Sequence, residues 1–468
     1  MDTKPELIDD GPEPGPVDWR LRPVLLMLVV GLALIGFFLV SQAHTITFGA
    51  FSHPPLYGRW DPTAAPEALL VLPAGLLLAA VGWFVTTNVR RVPSWLALTL
   101  IVGAGVVVAA AVTLVRGEYD HLVRGVGTGP DSPYYTSDIH YVDEFGIRGF
   151  AERHPELTKV YNSWNSRTHP PGVLVMLSVL HRLLGPGNPF WMSTAIALLG
   201  TLAAVSAWSL GRSLGGERSG RIAAVLFVAA PGPLILAYTI LDAVFATFLS
   251  TAAAMLVLAV HRLSWRWALA AGAMLGLTTY LTYATVFVTL AATVTVLWQV
   301  SGVRRVVRLL GAAAAGGVLV LAVAWALLNF DLWAAYRSVP QTHTPYDPYW
   351  IVGSPAAFLI FAGVPLAALG ALGLVVRAPG ARRAVLPLVS VPLMFVWAAL
   401  PPSFTDLRPG EVERTWAFLF PLLAAAAAPV LLSWIRGLGA RWTAPVLTGL
   451  ITVSLAQATL LQMLYDTW

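Results

Sequence analysis

Eight of the chain's 24 acidic residues crowd into one stretch, from Arg116 to Gly172, that ends in Arg167-Thr168-His169-Pro170-Pro171-Gly172. They are Glu118, Asp120, Asp131, Asp138, Asp143, Glu144, Glu152 and Glu156. A carboxylate can take the proton of an attacking hydroxyl, and histidine and arginine can neutralise a phosphate. The stretch Tyr134-Tyr135-Thr136-Ser137-Asp138-Ile139-His140-Tyr141 continues into Val142-Asp143-Glu144-Phe145. Its pattern after Ser137 is helical, with Ser137 or Asp138 placed to cap. On that helix Asp138, Tyr141, Val142 and Phe145 share a face, while Asp143 points roughly 140° away from Asp138. The two aspartates cannot line one small site unless the helix breaks. Asp138 is the preferred catalytic carboxylate and Asp143 or Glu144 the alternative. The structural readings are a cap for Asp138 and a solvated face for the other two.

The cations come next. Pro170 and Pro171 fix the start of a following helix, where their missing N–H groups do no harm. His169 and Arg167 then stand near that helix's positive end, where a lipid phosphate would be stabilised; the bland alternative is headgroup anchoring. A third group lies downstream: Arg337, His343, Tyr346, Asp347, Tyr349 and Trp350 in 330–349, and Asp406, Arg408, Glu411, Glu413 and Arg414 in 401–414. The tyrosines and Trp350 suit an interfacial belt. Arg414, at the start of an apolar run, must snorkel or bind an anion, with Glu413 a candidate partner. Asp242, embedded in an apolar run, is costly unless paired, and a structural arginine would serve it. No Walker phosphate loop, GxGxxG after a strand, His-Glu-x-x-His or Gly-x-Ser-x-Gly occurs.

The elements that position these residues are membrane helices. Hydrophobic residues make up 57% of the 468 and charged residues 11%, and many apolar runs reach about 20 residues, the length that crosses hydrocarbon. Backbone polar groups in lipid must pair internally, so the runs are helices. Thirteen runs are expected to span, near 22–42, 66–87, 94–115, 190–211, 219–238, 241–261, 267–281, 283–300, 309–329, 350–376, 384–400, 415–435 and 442–464. With the N-terminus inside, Arg90-Arg91, Arg212/Arg218/Arg221, Arg262/Arg266, Arg304/Arg305/Arg308, Arg377/Arg382/Arg383 and Arg436/Arg441 all fall on the cytoplasmic side. The loops at 43–65, 116–171, 330–349 and 401–414 and the C-terminus are then external. The pI near 9.5 reflects this asymmetry rather than nucleic-acid affinity.

Two segments test the count. Val173–Leu184 gives roughly 18 Å of helix, too short to cross, and is read as an interfacial helix of the outer leaflet. Region 267–300 is flanked by arginines on both sides, which requires two short spans with a turn near Tyr280–Tyr283. The organisation is a disordered cytoplasmic tail (1–21), a three-span segment (22–115), the external loop with interfacial helices (116–189), a transmembrane core (190–300) and a C-terminal transmembrane segment (301–468). There is no signal-peptide pattern and no cysteine. High Ala, Gly, Val, Leu and Arg with few Lys suggests a GC-rich bacterial source.

An acid opening an aromatic-rich helix, followed 31 residues later by His-Pro-Pro, resembles the first external loop of the GT-C glycosyltransferases. The similarity is to the branch of protein O-mannosyltransferases, lipid A aminoarabinose transferases and rhizobial Rgt-type transferases. There an acidic residue, often Asp-Glu, precedes a [His/Lys]-Pro-Pro-Leu motif and a short helix ending in a Leu-Phe-Gly-like turn, here Leu183-Leu184-Gly185. The resemblance continues through Trp208–Gly215, Ala229-Ala230-Pro231 and Asp242, covering about 138–290. It implies that Asp138 matches the catalytic acid and His169 the basic position near the lipid phosphate. Ile139 stands where relatives have Glu, Gly172 where they have Leu, and two extra spans precede the loop. The first departure keeps Asp143-Glu144 open; the others suggest a separate subfamily with a different acceptor.

The resemblance implies an inverting membrane glycosyltransferase that moves a sugar from a polyprenyl-phosphate donor to an acceptor hydroxyl on the external face of the plasma membrane. Asp138 is expected to be the general base. His169, Arg167, Arg337 and Arg414 would bind the lipid phosphate, and Tyr134, Tyr135, Tyr141 and Trp350 would contact sugar or acceptor. The acceptor is a cell-envelope glycan, lipid or protein; membrane lipids are partners and nucleic acid is not. No cofactor is demanded, although a divalent metal near Asp138 and His140 is compatible with the family. The rivals are a transporter or lipid flippase, which predicts polar groups near mid-membrane, and a non-catalytic scaffold.

Overall fold

Apolar stretches that satisfy their own backbone become helices, and the chain is a bundle of them. The computed structural model describes residues 22–43, 59–117, 119–126, 135–184, 188–340, 349–399 and 412–466. The first helices are α1 (Arg22–Ala43), α2 (Val71–Thr87), α3 (Ser94–Thr113) and α4 (Tyr119–Val123). The loop region contributes α5 (His140–Leu157), α6 (Trp164–Thr168) and α7 (Gly172–Leu184). Then come α8 (Pro189–Thr201), α9 (Ala203–Ala229), α10 (Pro231–Leu236), α11 (Asp242–Arg262), α12 (Trp265–Thr278), α13 (Thr285–Gln299) and α14 (Val303–Leu328). The rest are α15 (Leu332–Ser338), α16 (Tyr349–Ala362), α17 (Val364–Val375), α18 (Val385–Ala399), α19 (Val412–Thr415), α20 (Leu419–Leu438) and α21 (Thr443–Leu464).

The protein is an all-α, multi-pass membrane protein. Each of the thirteen expected runs has a helical counterpart, but thirteen spans are not established. Among the described residues, seven stretches are long and apolar enough to cross a membrane, or eight if α16 and α17, bent by 109°, form one broken span. One stretch, Pro189–Ala229, covers two expected spans; it is kinked at Gly215–Gly216, where Gly216 has φ 82°. The shortfall is one of length. Helix α12 has 14 residues and α13 has 15, each roughly 22 Å. The turn between them falls at 279–284, where the sequence put it, and α7 is the short separate helix expected after Pro171.

Small residues set the packing, as is usual where no hydrophobic force separates helix from lipid. In α12 a Cβ on Gly272 would strike the Ala313 carbonyl of α14, and one on Gly316 the Leu269 carbonyl, so the two backbones touch. The α20 stretch Ala424–Ala428 is wholly buried against α9 and α17.

Charge separates to the two ends of this bundle. At one end Arg221, 1% exposed, donates to the carbonyls of Val85 (2.9 Å) and Val92 (2.7 Å) and to Glu217 (2.9 Å). Glu217 also accepts from Ser94 Oγ at the head of α3. Arg218 reaches Thr443, and the Arg382 N–H donates to Leu214 C=O. The turns bearing Arg90-Arg91, Arg212–Arg221, Arg377–Arg383 and Arg436–Arg441 are thus gathered together. At the other end β1 (Arg59–Trp60) pairs antiparallel with β2 (Tyr465–Asp466). Arg116 bonds Asp61 (2.7 Å), and Arg124 and His121 meet Asp466. The His121 hydrogen bond, against the effect of burial and with help from Arg124, holds the Asp466 carboxyl far below its ordinary range. The loop before Pro66, the loop after α3 and the end of α21 therefore share one side, as the charge pattern requires.

Candidate functional site

Tyr135–Asp138 forms a tight 3₁₀ turn leading into α5, and it turns Asp138 inward. Asp138 is 0% exposed. Its Oδ1 accepts the Asn162 N–H (2.8 Å) and its Oδ2 the Ser163 N–H (3.0 Å). Neither Ser137 nor Asp138 caps α5; the N-cap position is Ile139, with no side-chain bond. Asp138 instead holds the start of α6, whose N-cap is Ser163. The reason is the turn, which aims the carboxylate across the loop at two N–H groups that lack helical partners.

The cation motif is built from the same loop. Arg167 donates through Nε (2.8 Å) and Nη2 (2.5 Å) to the Tyr161 carbonyl, just before the two residues that Asp138 binds. His169 ends α6; its Nδ1 donates to Asn165 C=O (3.0 Å), which leaves Nε2 as the acceptor of the neutral ring. The His169 ring packs edge-on to Tyr135 (5.5 Å) and against Phe245 of α11 (5.6 Å). Acid, arginine, histidine and Tyr135 are therefore one assembly, and Tyr141 joins it through Tyr161 (ring centroids 5.6 Å apart).

Arg414 approaches from the far end of the chain. Its partner is Asp242 at the head of α11, 3.7 Å away, with both side chains 11% exposed. This gives Asp242 its structural arginine; the expected pairing of Arg414 with Glu413 falls on a side chain outside the described residues. Asp242 and Phe245 lie three residues apart on α11, so His169 and Arg414 converge on the same helix end. Arg337 does not join them: it is exposed on α15, with its guanidinium 4.6 Å from the Trp333 ring. Tyr134, His343, Tyr346, Asp347, Asp406, Arg408 and Glu411 lie outside the described residues, as do the side chains of Trp350 and Glu413.

The rival acids point elsewhere. Asp143 accepts from Arg182 (2.5 Å) and Ser178 (3.1 Å), tying α5 to α7. The Arg182 bond, with Ser178 and against partial burial, holds its carboxyl below the usual range. Glu144 is exposed. Gly146, at φ 66° and ψ 164°, breaks α5 just beyond them, so the break comes too late to bring Asp143 round to Asp138.

Sequence reasoning passed over two residues that organise the site. His154 is 1% exposed and its Nδ1 lies 2.9 Å from the Tyr161 hydroxyl. Burial pushes its pKa down to about 4, opposed by a hydrogen bond to the backbone of His169. Tyr161 is 0% exposed, and burial together with neighbouring Asp138 raises its hydroxyl pKa. A lone histidine before Pro155 carries no local signal of such a role. Gly172 is also explained: a Cβ there would stand 2.4 Å from the Tyr280 carbonyl, so the α12–α13 turn fits against the head of α7 because leucine is absent. Among the described residues, no three His, Asp or Glu side chains are grouped to hold a metal ion.

Residues 168–328 match the family profile of dolichyl-phosphate-mannose-protein mannosyltransferases. No curated protein matches the chain. Among solved structures it is similar to ArnT from Cupriavidus metallidurans bound to undecaprenyl phosphate, at 18% identity and a TM-score of 0.43, over 71% of this chain and 59% of that one. The apo form of that ArnT gives 20% identity and a TM-score of 0.45, over 71% and 61%. The Archaeoglobus fulgidus oligosaccharyltransferase complex with zinc and sulfate gives 12% and 0.39, over 77% and 53%. The chain thus spans about three fifths of the length of ArnT. Over residues 168–328, about a third of its length, the chain is thus similar to the dolichyl-phosphate-mannose-protein mannosyltransferases.

Proposed function

We propose that this protein transfers a sugar from a polyprenyl monophosphate to an acceptor hydroxyl on the external face of the membrane, inverting the anomeric carbon, with Asp138 as general base. The observation that carries the reading is the direct bonding of Asp138 to Asn162 and Ser163, which fixes the candidate acid to the loop bearing Arg167 and His169. The family match over 168–328 supports group transfer over transport. The acceptor oxygen attacks the anomeric carbon as Asp138 takes its proton, and the lipid phosphate leaves as an anion already stable in water. The protein's task is then placement and cationic stabilisation. As the imidazolium, His169 donates Nε2–H to the phosphate, as Arg167 does through its remaining N–H groups; Arg414 balances Asp242 beside them. Asp138 accepts one N–H on each oxygen and so retains lone pairs for a proton. Its enclosure requires the loop to open for the acceptor.

The test is Asp138→Asn, with transfer from a labelled polyprenyl-phosphate sugar measured in liposomes. Loss of a general base costs about 10²- to 10⁴-fold. A folded Asp138→Asn protein with near wild-type turnover rejects the assignment, and Asp143→Asn and Glu144→Gln, run beside it, then identify the base.

A further inference from the structure

At the end of the bundle remote from the acidic loop, a cavity of about 420 Å³ opens between the head of α1, the kinked middle of α9, the segment 376–384 that follows α17, and α20. Four arginines line it, Arg22, Arg377, Arg382 and Arg383, together with buried apolar residues such as Leu214 and Val430. Its wall is fixed by hydrogen bonds. The Gly215–Gly216 kink breaks the helical pattern after Leu214, whose carbonyl accepts the Arg382 N–H (2.8 Å), and Arg377 Nε donates to Ala381 C=O (2.9 Å). The exposed side chain of Arg383 stands over Trp298 at 5.8 Å.

We propose that this cavity binds the headgroup of an anionic phospholipid. Guanidinium groups match phosphate oxygens in geometry and charge, and an apolar wall at the level where helices leave the bilayer suits the glycerol and upper acyl chain. Orientation by positive charge alone needs arginines on the surface but no cavity behind them. The site is separate from the transfer site and does not depend on that reading. It anchors α1, α9, α17 and α20 to the lipid on the arginine-rich side.

The full-length protein in detergent is titrated with phosphatidylglycerol or phosphatidylcholine and the retained adducts are counted by native mass spectrometry. One phosphatidylglycerol is expected to persist where phosphatidylcholine does not. Arg382→Gln with Arg383→Gln is expected to weaken it about thirtyfold. Arg304→Ala with Arg305→Ala, exposed on α14 outside the cavity, is expected to leave it unchanged. Arg22→Gln, at the head of α1 and outside the 376–384 segment, weakens it several-fold and keeps the test available if the double variant misfolds. Equal weakening by both double variants overturns the proposal in favour of diffuse surface charge. Full displacement by inorganic phosphate overturns it in favour of a soluble anion. An adduct that appears only after residues 2–19 are deleted overturns it in favour of the acidic N-terminal tail.

Discussion

The two ends of the bundle treat charge in opposite ways. At the arginine end Arg221 and Glu217 neutralise each other and together support the end of α2 and the start of α3. At the loop end Asp138 bonds backbone N–H groups, while Arg167 and His169 bond backbone carbonyls. Among the described residues no ion pair joins that acid to those cations. The first arrangement is closed and serves folding. The second bonds Asp138 and Arg167 to a shared peptide frame rather than to each other.

The contrast breaks hardest at Arg221. Arg221→Met removes a buried guanidinium's hydrogen bonds to Glu217 and to the Val85 and Val92 carbonyls, and although Arg212 still faces Glu217 at 3.4 Å, about 3–5 kcal/mol of stability is expected to go. Thermal unfolding in detergent should show this, while molecules that remain folded keep their turnover. A smaller loss than that of Arg218→Met would mean that the pair is not closed as described.

Next in size is the pH response of the loop end. His154 has its pKa lowered from 6.5 to about 4, so the unfolded chain binds the proton first as pH falls. Stability is complete above pH 6.5 and declines between 6.5 and 4, by about 3 kcal/mol in all. His154→Phe should flatten a melting curve series across that window, and an unchanged slope would show that another group titrates.

Gly172→Leu, which restores the residue common in relatives, drives a side chain into the Tyr280 backbone. Overpacking of this kind costs about 1–3 kcal/mol, with the loss expected mainly in donor KM as His169 shifts. Improved turnover would refute the close approach. The smallest effect belongs to the exposed Asp143–Arg182 pair, with side chains 49% and 55% exposed. Arg182→Gln should change stability by about 1 kcal/mol or less; a large loss of transfer there would move attention back to Asp143.

Much of this was readable in the chain. The helix-breaking turn at 279–284, the separate short helix after Pro171 and the gathering of arginine turns at one end follow from apolar run length and charge, which are local. The union of Asp138 with the His-Pro-Pro loop was legible only as a resemblance. The pairing of Arg414 with Asp242 was not legible, because an arginine beside Glu413 offers a nearer partner in sequence. Its contact with Asp242 is set by how α11 and α19 pack. His154 and Tyr161 were missed for the same reason: nothing about one histidine or one tyrosine says which will be buried.

By itself the sequence determined a helical membrane protein whose charges lie in the connections and at the ends of its apolar runs, since hydrophobic length and the cost of burying charge disfavour them within a span. Tertiary structure decided which charges are neutralised and which are held apart. Hydrogen bonds between residues 24 and 25 positions distant, and an ion pair across 172, depend on the meeting of backbones, and that meeting rests on glycines such as Gly172 and Gly272, whose missing side chains no periodicity reveals.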